Sequence, residues 1–382
     1  MSDTDGVLTR AERAVATAAA AVLLTGLMGT SYADEKARVA PATPAALVAP
    51  PAAPSSAASR AAKSAAGPAA ASKPPVQAAV PVAQQPVPPA PPLAGCPVPY
   101  RPGRPGWTPK PLKPPIVADA ALPLPLPTGP KASSLAAVSG KGIWVTNWKT
   151  TEVDVAGIVA RAKAAGLHNI WVRTGGSKQG YYGGLVLPEL VPAAHAAGLK
   201  VVAWDFPFLS DPMADAVRAR KALATGIDAF APDVETTAEG TYATPRRVAL
   251  YLSLVRGYAG DRPIAATVPR PTPKRRATFP YAAFQPYADV FAPMVYWSCN
   301  EPGKLVRQSL TELGRLLPVA PVGQAYDMAE DGGRRGKPTY AETLRFLDYA
   351  RRGGAIGASL WTIEEIGDGQ WKALAGYRWP GR

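Results

Sequence analysis

From residue 136 to residue 382 the chain alternates short apolar runs with segments of helical periodicity. The apolar runs are near-continuous, which is typical of parallel strands buried on both faces. Two of the helical segments end in glycine before the next run, at AAGLHNI and AAGLKVV. Thr151 and Asp211 are predicted helix N-caps. Eight apolar runs occur, at 141–148, 169–176, 200–207, 226–235, 263–271, 289–297, 318–326 and 357–365.

Eight strand–helix units in 247 residues (382 − 135) match the size and the count of an α/β fold of the (β/α)8 TIM-barrel type. The competing architecture is a doubly wound open sheet. That fold commonly places a glycine-rich phosphate loop after its first strand, and the run at 141–148 is not followed by one. The pattern therefore favours the barrel for residues 136–382.

The preceding residues have a different composition. In residues 1–33, Arg10 and Arg13 precede an apolar run at 14–29, which predicts a signal peptide; the run is shorter than the about 20 residues that span a bilayer, although retention as an anchor stays open. Residues 34–135 hold 26 of the 44 prolines and show no periodicity, which predicts a disordered Pro/Ala-rich linker.

The net charge of +14 is carried partly by this linker, whose lysines and arginines suit contact with an anionic cell envelope; a merely solvated tether is the alternative. No basic surface interleaved with aromatic residues indicates nucleic acid. The two cysteines, Cys96 and Cys299, exclude a disulfide-rich scaffold and a cysteine zinc site, and they leave open one bridge from linker to barrel. Neither His168 nor His195 has a metal-ligand spacing to an acid, so we expect no metal and no cofactor.

The fourth run, GIDAFAPDVE, ends with two acids at alternate positions, Asp233 and Glu235. Residues two apart on a strand share a face, so both carboxylates should point into the mouth of a barrel, where barrel enzymes carry out their chemistry. The structural alternative is an ion pair between this strand and Arg173, which ends the second run.

The other runs end in aromatic and acidic residues as well. Indole and phenol rings stack on sugar faces, while carboxylates act on hydroxyls and on the glycosidic oxygen, so this set predicts a glycan-binding mouth. Tyr181 and Tyr182, in a glycine-rich loop, could cover it. The strand-end residues are Trp148, Arg173, Trp204, Asp205, Tyr296, Trp297, Tyr326, Asp327, Trp361, Glu364 and Glu365.

The motifs DVE (233–235) and APMVYW (292–297), with Trp361 on the last strand, resemble those of the barrel glycosidases of families 18 and 25, the chitinase-like enzymes and the lysozyme-type muramidases. The resemblance implies that Glu235 is the catalytic acid and that Asp233 orients an N-acetyl group. The chain departs from family 18 at Phe230 and Ala231, where further aspartates are usual. It departs from family 25 at Trp144, where an aspartate is usual.

We therefore expect a secreted or envelope-associated monomer that hydrolyses a polysaccharide or peptidoglycan-type glycan, with Glu235 protonating the leaving oxygen. The second catalytic role falls either to a substrate acetamido group held by Asp233 and Tyr296, or to Asp205 or Asp327 as a second carboxylate. Two alternatives stay open. One is a non-catalytic cell-wall-binding module, and the other is metal-assisted deacetylation with Asp205, Asp233 and Glu235 as ligands. The expected substrate-binding residues are Trp148, Arg173, Trp204, Trp297, Tyr326, Trp361 and Glu364.

Overall fold

This computed structural model describes residues 95–96, 112–148, 154–331 and 333–380. Eight parallel strands surround one axis, and β8 pairs with β1, so the last strand of the barrel lies beside the first. Isolated bridges join β4 to β5 at Phe230–Ile264 and Asp233–Thr267, which closes the ring. The strands are β1 (Gly140–Val145), β2 (Asn169–Gly176), β3 (Lys200–Phe206), β4 (Ala229–Pro232), β5 (Ala265–Pro269), β6 (Val290–Val295), β7 (Val322–Gln324) and β8 (Gly357–Trp361).

Each barrel strand is followed by a helix, so the sequence prediction of an eight-stranded parallel barrel with eight helices is confirmed. A two-residue strand, Gly180–Tyr181, pairs antiparallel with the end of β2. The helices are α1 (Val155–Ala164), α2 (Leu187–Ala196), α3 (Pro212–Leu223), α4 (Pro245–Ala259), α5 (Pro273–Thr278), α6 (Pro302–Leu313), α7 (Tyr340–Arg352) and α8 (Asp368–Gly376). None of the helices within the described residues combines the length and the hydrophobicity that a bilayer-spanning segment needs.

Four helices begin with a capping residue followed by proline, a pairing that satisfies a free backbone N–H and presets the first helical φ. Asp211 accepts hydrogen bonds from the backbone N–H of Met213 and Ala214, as predicted. At α1 the cap is Asp154, which accepts from the Gly157 N–H; Thr151 lies outside the described residues. The other three proline-led helices, α4, α5 and α6, are capped by Thr244, Thr272 and Glu301.

Side chains alternate between the barrel interior and the surrounding helices. Trp144, Trp171 and Trp204 point inward from β1, β2 and β3 and join Trp361 of β8; the first two stack at 4.7 Å between ring centroids. Strands β4, β5 and β6 supply small inward residues, which leave room for the four indole rings inside the barrel. These small inward residues are Ala229, Ala231, Ala265 and Ala292.

Residues 112–135, which were predicted to belong to the disordered linker, are held along α4. Val117 and Leu122 accept hydrogen bonds from Arg247 and Arg246, and Asp119 forms an ion pair with Arg247 at 2.7 Å. Further on, Ala132 N–H donates to Asp289. The exposed Arg246 and the buried Arg247 of α4 therefore bind carbonyls of this proline-rich segment and hold it against the barrel.

The two cysteines form a disulfide bond that joins Cys96 to Cys299 in the loop after β6. The adjacent carbonyl of Gly95 accepts a hydrogen bond from Arg335 N–H in the loop after β7, at 2.9 Å. Gly95 and Cys96 of the proline-rich region are thus fixed at the C-terminal face of the barrel. The predicted signal peptide, and the linker up to residue 94, lie outside the described residues.

Candidate active site

Strand β4 and its extension direct both acids of the DVE motif toward the mouth of the barrel. Ala229 and Ala231 pack in the barrel interior, whereas Phe230 and Val234 pack against the helices. The alternation continues, because Val234 N–H donates to Thr267 O on β5 at 3.0 Å and keeps the chain extended. Asp233 and Glu235 consequently lie on the inward side at the C-terminal face, the position expected for catalytic residues of a barrel.

Asp233 is 6% exposed, and its Oδ1 atom has no hydrogen-bond partner in the described part of the chain. Burial raises the pKa of Asp233 to about 7; the positive charge of Arg173 opposes this rise, while Glu239 and Asp205 add to it. Next to it, the hydroxyl of Thr267 is also buried without a partner among these residues. Two unsatisfied polar atoms side by side mark a place where a polar ligand group can bind.

Glu235 lies nearer the solvent than Asp233 and is partly exposed. Burial of its carboxyl group raises the pKa of Glu235 well above the usual value, the charges of Asp233 and Glu239 raise it further, and Arg275 opposes them. No hydrogen bond or ion pair to this carboxyl group is found within the described residues. A carboxylic acid whose pKa is raised by burial, and which is not tied to a neighbour, is suited to donate a proton.

Arg173 extends inward from the end of β2 and is 8% exposed. Its guanidinium group lies 5.0 Å from the centroid of the Trp204 ring, and its Nε is 3.4 Å from Gly175 O. No carboxylate oxygen of the described residues lies within 4.0 Å of it, so the ion pair that was the structural alternative for the strand-four acids is not formed. Arg173 and the two acids instead lie on the inward side at the same end of the barrel.

Two tyrosines face these acids from across the mouth. Tyr296 follows β6 on its inward side and meets Tyr326 edge-on at 5.5 Å between ring centroids. Burial raises the pKa of Tyr296 well above its usual value, and the charges of Tyr326, Asp233 and Glu235 contribute in the same direction. The phenol therefore stays neutral and can donate a hydrogen bond beside the two carboxyl groups.

The floor of the mouth is aromatic. Trp204 is fully buried, and Trp361 is partly buried, with 5.2 Å between their ring centroids. The peptide bond between Trp361 and Thr362 is cis. We use the name cup for the inward-facing residues at this end of the barrel, which are Arg173, Trp204, Asp233, Glu235, Thr267, Tyr296, Tyr326 and Trp361.

Asp205 is not in the cup. It neighbours the inward-facing Trp204 on β3, so its side chain turns to the helices and accepts three hydrogen bonds from Arg218 of α3 at 2.9–3.2 Å. Arg218 also pairs with Asp215 at 2.8 Å. Burial raises the pKa of Asp205 to about 6, against the opposing charge of Arg218. The assignment of Asp205 as a second catalytic carboxylate is therefore wrong.

Two other acids predicted for the site hold backbone groups. Asp327 accepts a hydrogen bond from Ala329 N–H at 2.8 Å and starts the 3-10 turn Ala329–Asp331. Glu364 accepts from both Thr146 N–H and Asn147 N–H at 2.7 Å, which ties the loop after β8 to the end of β1. Both carboxylates shape the rim of the barrel.

Three predicted aromatic residues face the helices. Trp297 is fully buried and stacks on Phe346 of α7 at 5.4 Å, so it is not a sugar platform. Trp148 is partly buried against the helix-side core. Tyr181 packs on that same core beside Lys221 of α3. Tyr182 lies near Arg173; burial raises the pKa of Tyr182, and the charge of Arg173 opposes that rise.

Three residues at the mouth were not predicted from the sequence. Thr267 lies two positions after the inward-facing Ala265, so the alternation of β5 could have identified it. Gln324 is fully buried at the end of β7; it accepts from Ser298 N–H and donates to Tyr326 O, which links the two tyrosine-bearing loops. Arg275 belongs to the basic run PKRRAT after β5. For Gln324 the sequence carries no signal, because its partners are backbone atoms.

No cluster of three or more His, Cys, Asp or Glu in the described ranges is arranged to hold a metal ion. The set Asp205, Asp233 and Glu235 does not converge, because Asp205 faces the opposite side of the sheet.

No protein-family model and no curated protein matches the chain. Solved structures with a similar fold include a chitinase from Rhizomucor miehei, with 15% identity over 62% of this chain and 98% of that one at a TM-score of 0.47. Two others are the spore cortex-lytic enzyme SleL of Bacillus cereus, with 10% identity over 62% and 73% at 0.46, and a chitinase from Chromobacterium violaceum, with 11% over 62% and 98% at 0.48. Similarity at this level says nothing of substrate or activity. The barrel fold is inferred from the strand order of this chain, and any activity has to be inferred from the chemistry of the cup.

Proposed function

We propose that the protein is a glycoside hydrolase whose catalytic acid is Glu235 and whose substrate is a glycan carrying N-acetyl groups. The observation that supports this most is the pair of inward-facing carboxyl groups at the end of β4, both with raised pKa values; Asp233 is buried and Glu235 is partly exposed. An enclosed carboxyl pair at the mouth of a barrel, over a floor of indole rings, suits glycosidic bond cleavage.

In the proposed reaction, Glu235 donates its proton to the glycosidic oxygen as the bond from that oxygen to the anomeric carbon breaks. The oxygen of the substrate's own acetamido group attacks the anomeric carbon and forms a cyclic oxazolinium. Water then adds to the anomeric carbon and gives a proton to the Glu235 carboxylate, which reopens the ring and restores the acid. Every proton and electron pair is supplied by the substrate, by Glu235 or by water.

The substrate's acetamido group is favoured as nucleophile because the candidate second carboxylates are engaged elsewhere. Asp205 is bound by Arg218, and Asp327 caps a turn. Asp233, with an unsatisfied Oδ1 atom, can accept the acetamido N–H, and Tyr296 can donate to the acetamido oxygen. Both groups lie within electrostatic reach of Glu235, because the charge of Asp233 raises the pKa of Glu235 and the charge of Glu235 raises the pKa of Tyr296.

We further propose that the protein acts outside the cytoplasm, on a polysaccharide or on peptidoglycan. The Cys96–Cys299 disulfide supports this, since such bonds persist in oxidising compartments. The apolar run at 14–29 is consistent with export.

The test is release of reducing sugar from chitin oligosaccharides and from peptidoglycan by the wild type and by Glu235→Gln. Loss of a general acid costs about 100- to 10,000-fold in turnover, and the variant should still bind the glycan because the rest of the cup is intact. Unchanged turnover in Glu235→Gln would refute the assignment. Glycan binding by a wild type that hydrolyses none of these substrates would instead indicate a binding module.

A further inference from the structure

Arg173 is a buried cation that the proposed reaction does not use. Its side chain extends from β2 into the cup. Asp233 lies between it and β5, and the guanidinium packs 5.0 Å from the centroid of the Trp204 ring. A Cβ on Gly176 would come within 3.3 Å of its Nη2 atom, so the guanidinium lies against the backbone at the end of β2. Glycine at 176 leaves room for this position.

The carboxylates of Asp205 and Asp233, which could neutralise Arg173, do not pair with it. Asp205 accepts three hydrogen bonds from Arg218 on the helix side of the sheet. Asp233 stays beyond 4.0 Å, and burial raises the pKa of Asp233 to about 7, which removes its negative charge over part of the neutral range. A buried guanidinium is costly without an anionic partner, and within the described residues Arg173 has only the ring of Trp204 and one long contact to Gly175 O.

The opposite side of the cup is also basic. The nine residues that follow Pro269 include Arg270, Lys274, Arg275 and Arg276 and no acid. Arg276 is paired with Glu312 at 2.6 Å, whereas Arg275 lies close enough to Glu235 for its charge to lower the pKa of that acid. An anionic chain entering the mouth is therefore attracted at this rim before it reaches Arg173.

We propose that Arg173 binds a carboxylate on the substrate, so that the cup selects an acidic, carboxylate-bearing amino-sugar glycan over a neutral one. This inference rests on the proposed function, because it places a sugar beside Asp233 and Glu235. A carboxylate fits the guanidinium fork through two parallel hydrogen bonds, and this geometry discriminates against neutral groups of the same size.

The test measures binding to the Glu235→Gln variant, in which the ligand survives, by calorimetry or by quenching of tryptophan fluorescence. Four probes are used, so that the effect of a negative charge can be told from the effect of shape, and one kind of acidic sugar from another. They are chitotetraose, a tetrasaccharide alternating N-acetylglucosamine with N-acetylmuramic acid, the methyl ester of that tetrasaccharide, and a tetrasaccharide alternating N-acetylglucosamine with glucuronate. Each is titrated against Glu235→Gln alone and in combination with Arg173→Gln, Arg173→Lys or Arg220→Gln.

We expect the parent variant to prefer an acid to its ester, and Arg173→Gln to weaken binding of that acid by about 10- to 100-fold, which matches a charge-assisted bidentate contact. Binding of chitotetraose and of the ester should change by less than about threefold, since the same principle gives them no such contact. Arg173→Lys should keep part of the preference. Arg220→Gln, which removes the same charge from α3 above Tyr258, should change nothing. The acid that is preferred identifies the source of the carboxylate.

Equal losses for acid and ester in Arg173→Gln would show that Arg173 only shapes the cup or supports Asp233, and would overturn the inference. No preference for either acid in the parent variant would overturn it too, while binding of chitotetraose would leave the proposed function standing. Absence of binding to all four probes would refute the proposed function and this inference together. Circular dichroism of each variant checks that loss of binding is not loss of fold.

Discussion

Replacing Asp233 by asparagine should stabilise the protein above neutral pH. Burial raises the pKa of Asp233 from 3.8 to about 7, so the folded state holds this proton more tightly than the unfolded chain does. The stabilisation linked to that proton is complete below 3.8 and is lost as the pH rises through 7. At pH 8 the wild type therefore carries a buried negative charge that asparagine does not have.

A rise in pKa from 3.8 to about 7 corresponds to about 4 kcal/mol, at about 1.4 kcal/mol for each tenfold change in the equilibrium. This is an upper value, because the amide of asparagine is itself buried and needs hydrogen-bond partners. We expect Asp233→Asn to raise the free energy of unfolding at pH 8 by about 1–4 kcal/mol on this basis, and to have little or no stabilising effect at pH 4.

The assay is urea unfolding followed by tryptophan fluorescence at pH 4, 6 and 8. Asp261→Asn is a control of opposite sign, because hydrogen bonds from Ser133 to this exposed carboxylate lower the pKa of Asp261. That variant should lose stability at pH 8 and not at pH 3. If Asp233→Asn were less stable than the wild type at pH 8, or if its advantage did not grow between pH 4 and pH 8, the burial and charge assigned to Asp233 would be wrong.

Three further predictions concern other contacts. Arg218→Met leaves Asp205 without its partner and should lower the free energy of unfolding by about 3–5 kcal/mol above pH 6. The loss should be smaller below pH 6, where Asp205 is protonated. Urea midpoints at pH 5 and pH 8 measure this, and an equal loss at both would contradict it. The double variant Cys96→Ala, Cys299→Ala should lose up to about 5 kcal/mol of unfolding free energy, because the unfolded chain is no longer closed into a loop. A reducing agent should destabilise the wild type and leave the double variant unaffected. Tyr296→Phe should lower kcat by about 10- to 100-fold with little change in KM, as expected for a donor used in the transition state; Tyr377→Phe, whose hydroxyl contacts Arg351 on the helix side, should not.

The barrel and its strand-four acids could be predicted because both follow from periodicity. Eight apolar runs with helices between them indicate the fold, and alternate positions on one strand place Asp233 and Glu235 on one face. The same rule explains two of the errors. Trp204 and Asp205 are neighbours on β3, as are Tyr296 and Trp297 after β6, and only one member of such a pair can face the cup.

The remaining features depend on tertiary contacts that composition does not reveal. Residues 112–135 have the composition of a linker, yet Arg246 and Arg247 on α4 bind their carbonyls. Glu364 was predicted to bind substrate, but the backbone at the end of β1 comes within 2.7 Å of it. Arg173 was expected at the mouth, but only the structure could show that no carboxylate of the described residues pairs with it.

The most direct measurement is titration of the Glu235 carboxyl group by carbon NMR on protein labelled at glutamate side chains, with the signal assigned by its absence in Glu235→Gln. We predict that the pKa of this carboxyl group lies well above its usual 4.5, and that the apparent pKa falls in Asp233→Asn, where the neighbouring charge is gone. A Glu235 signal that titrates near 4.5, and that does not change in Asp233→Asn, would show that the strand-four acids do not share an enclosed cup and would contradict the assignment of Glu235 as the catalytic acid.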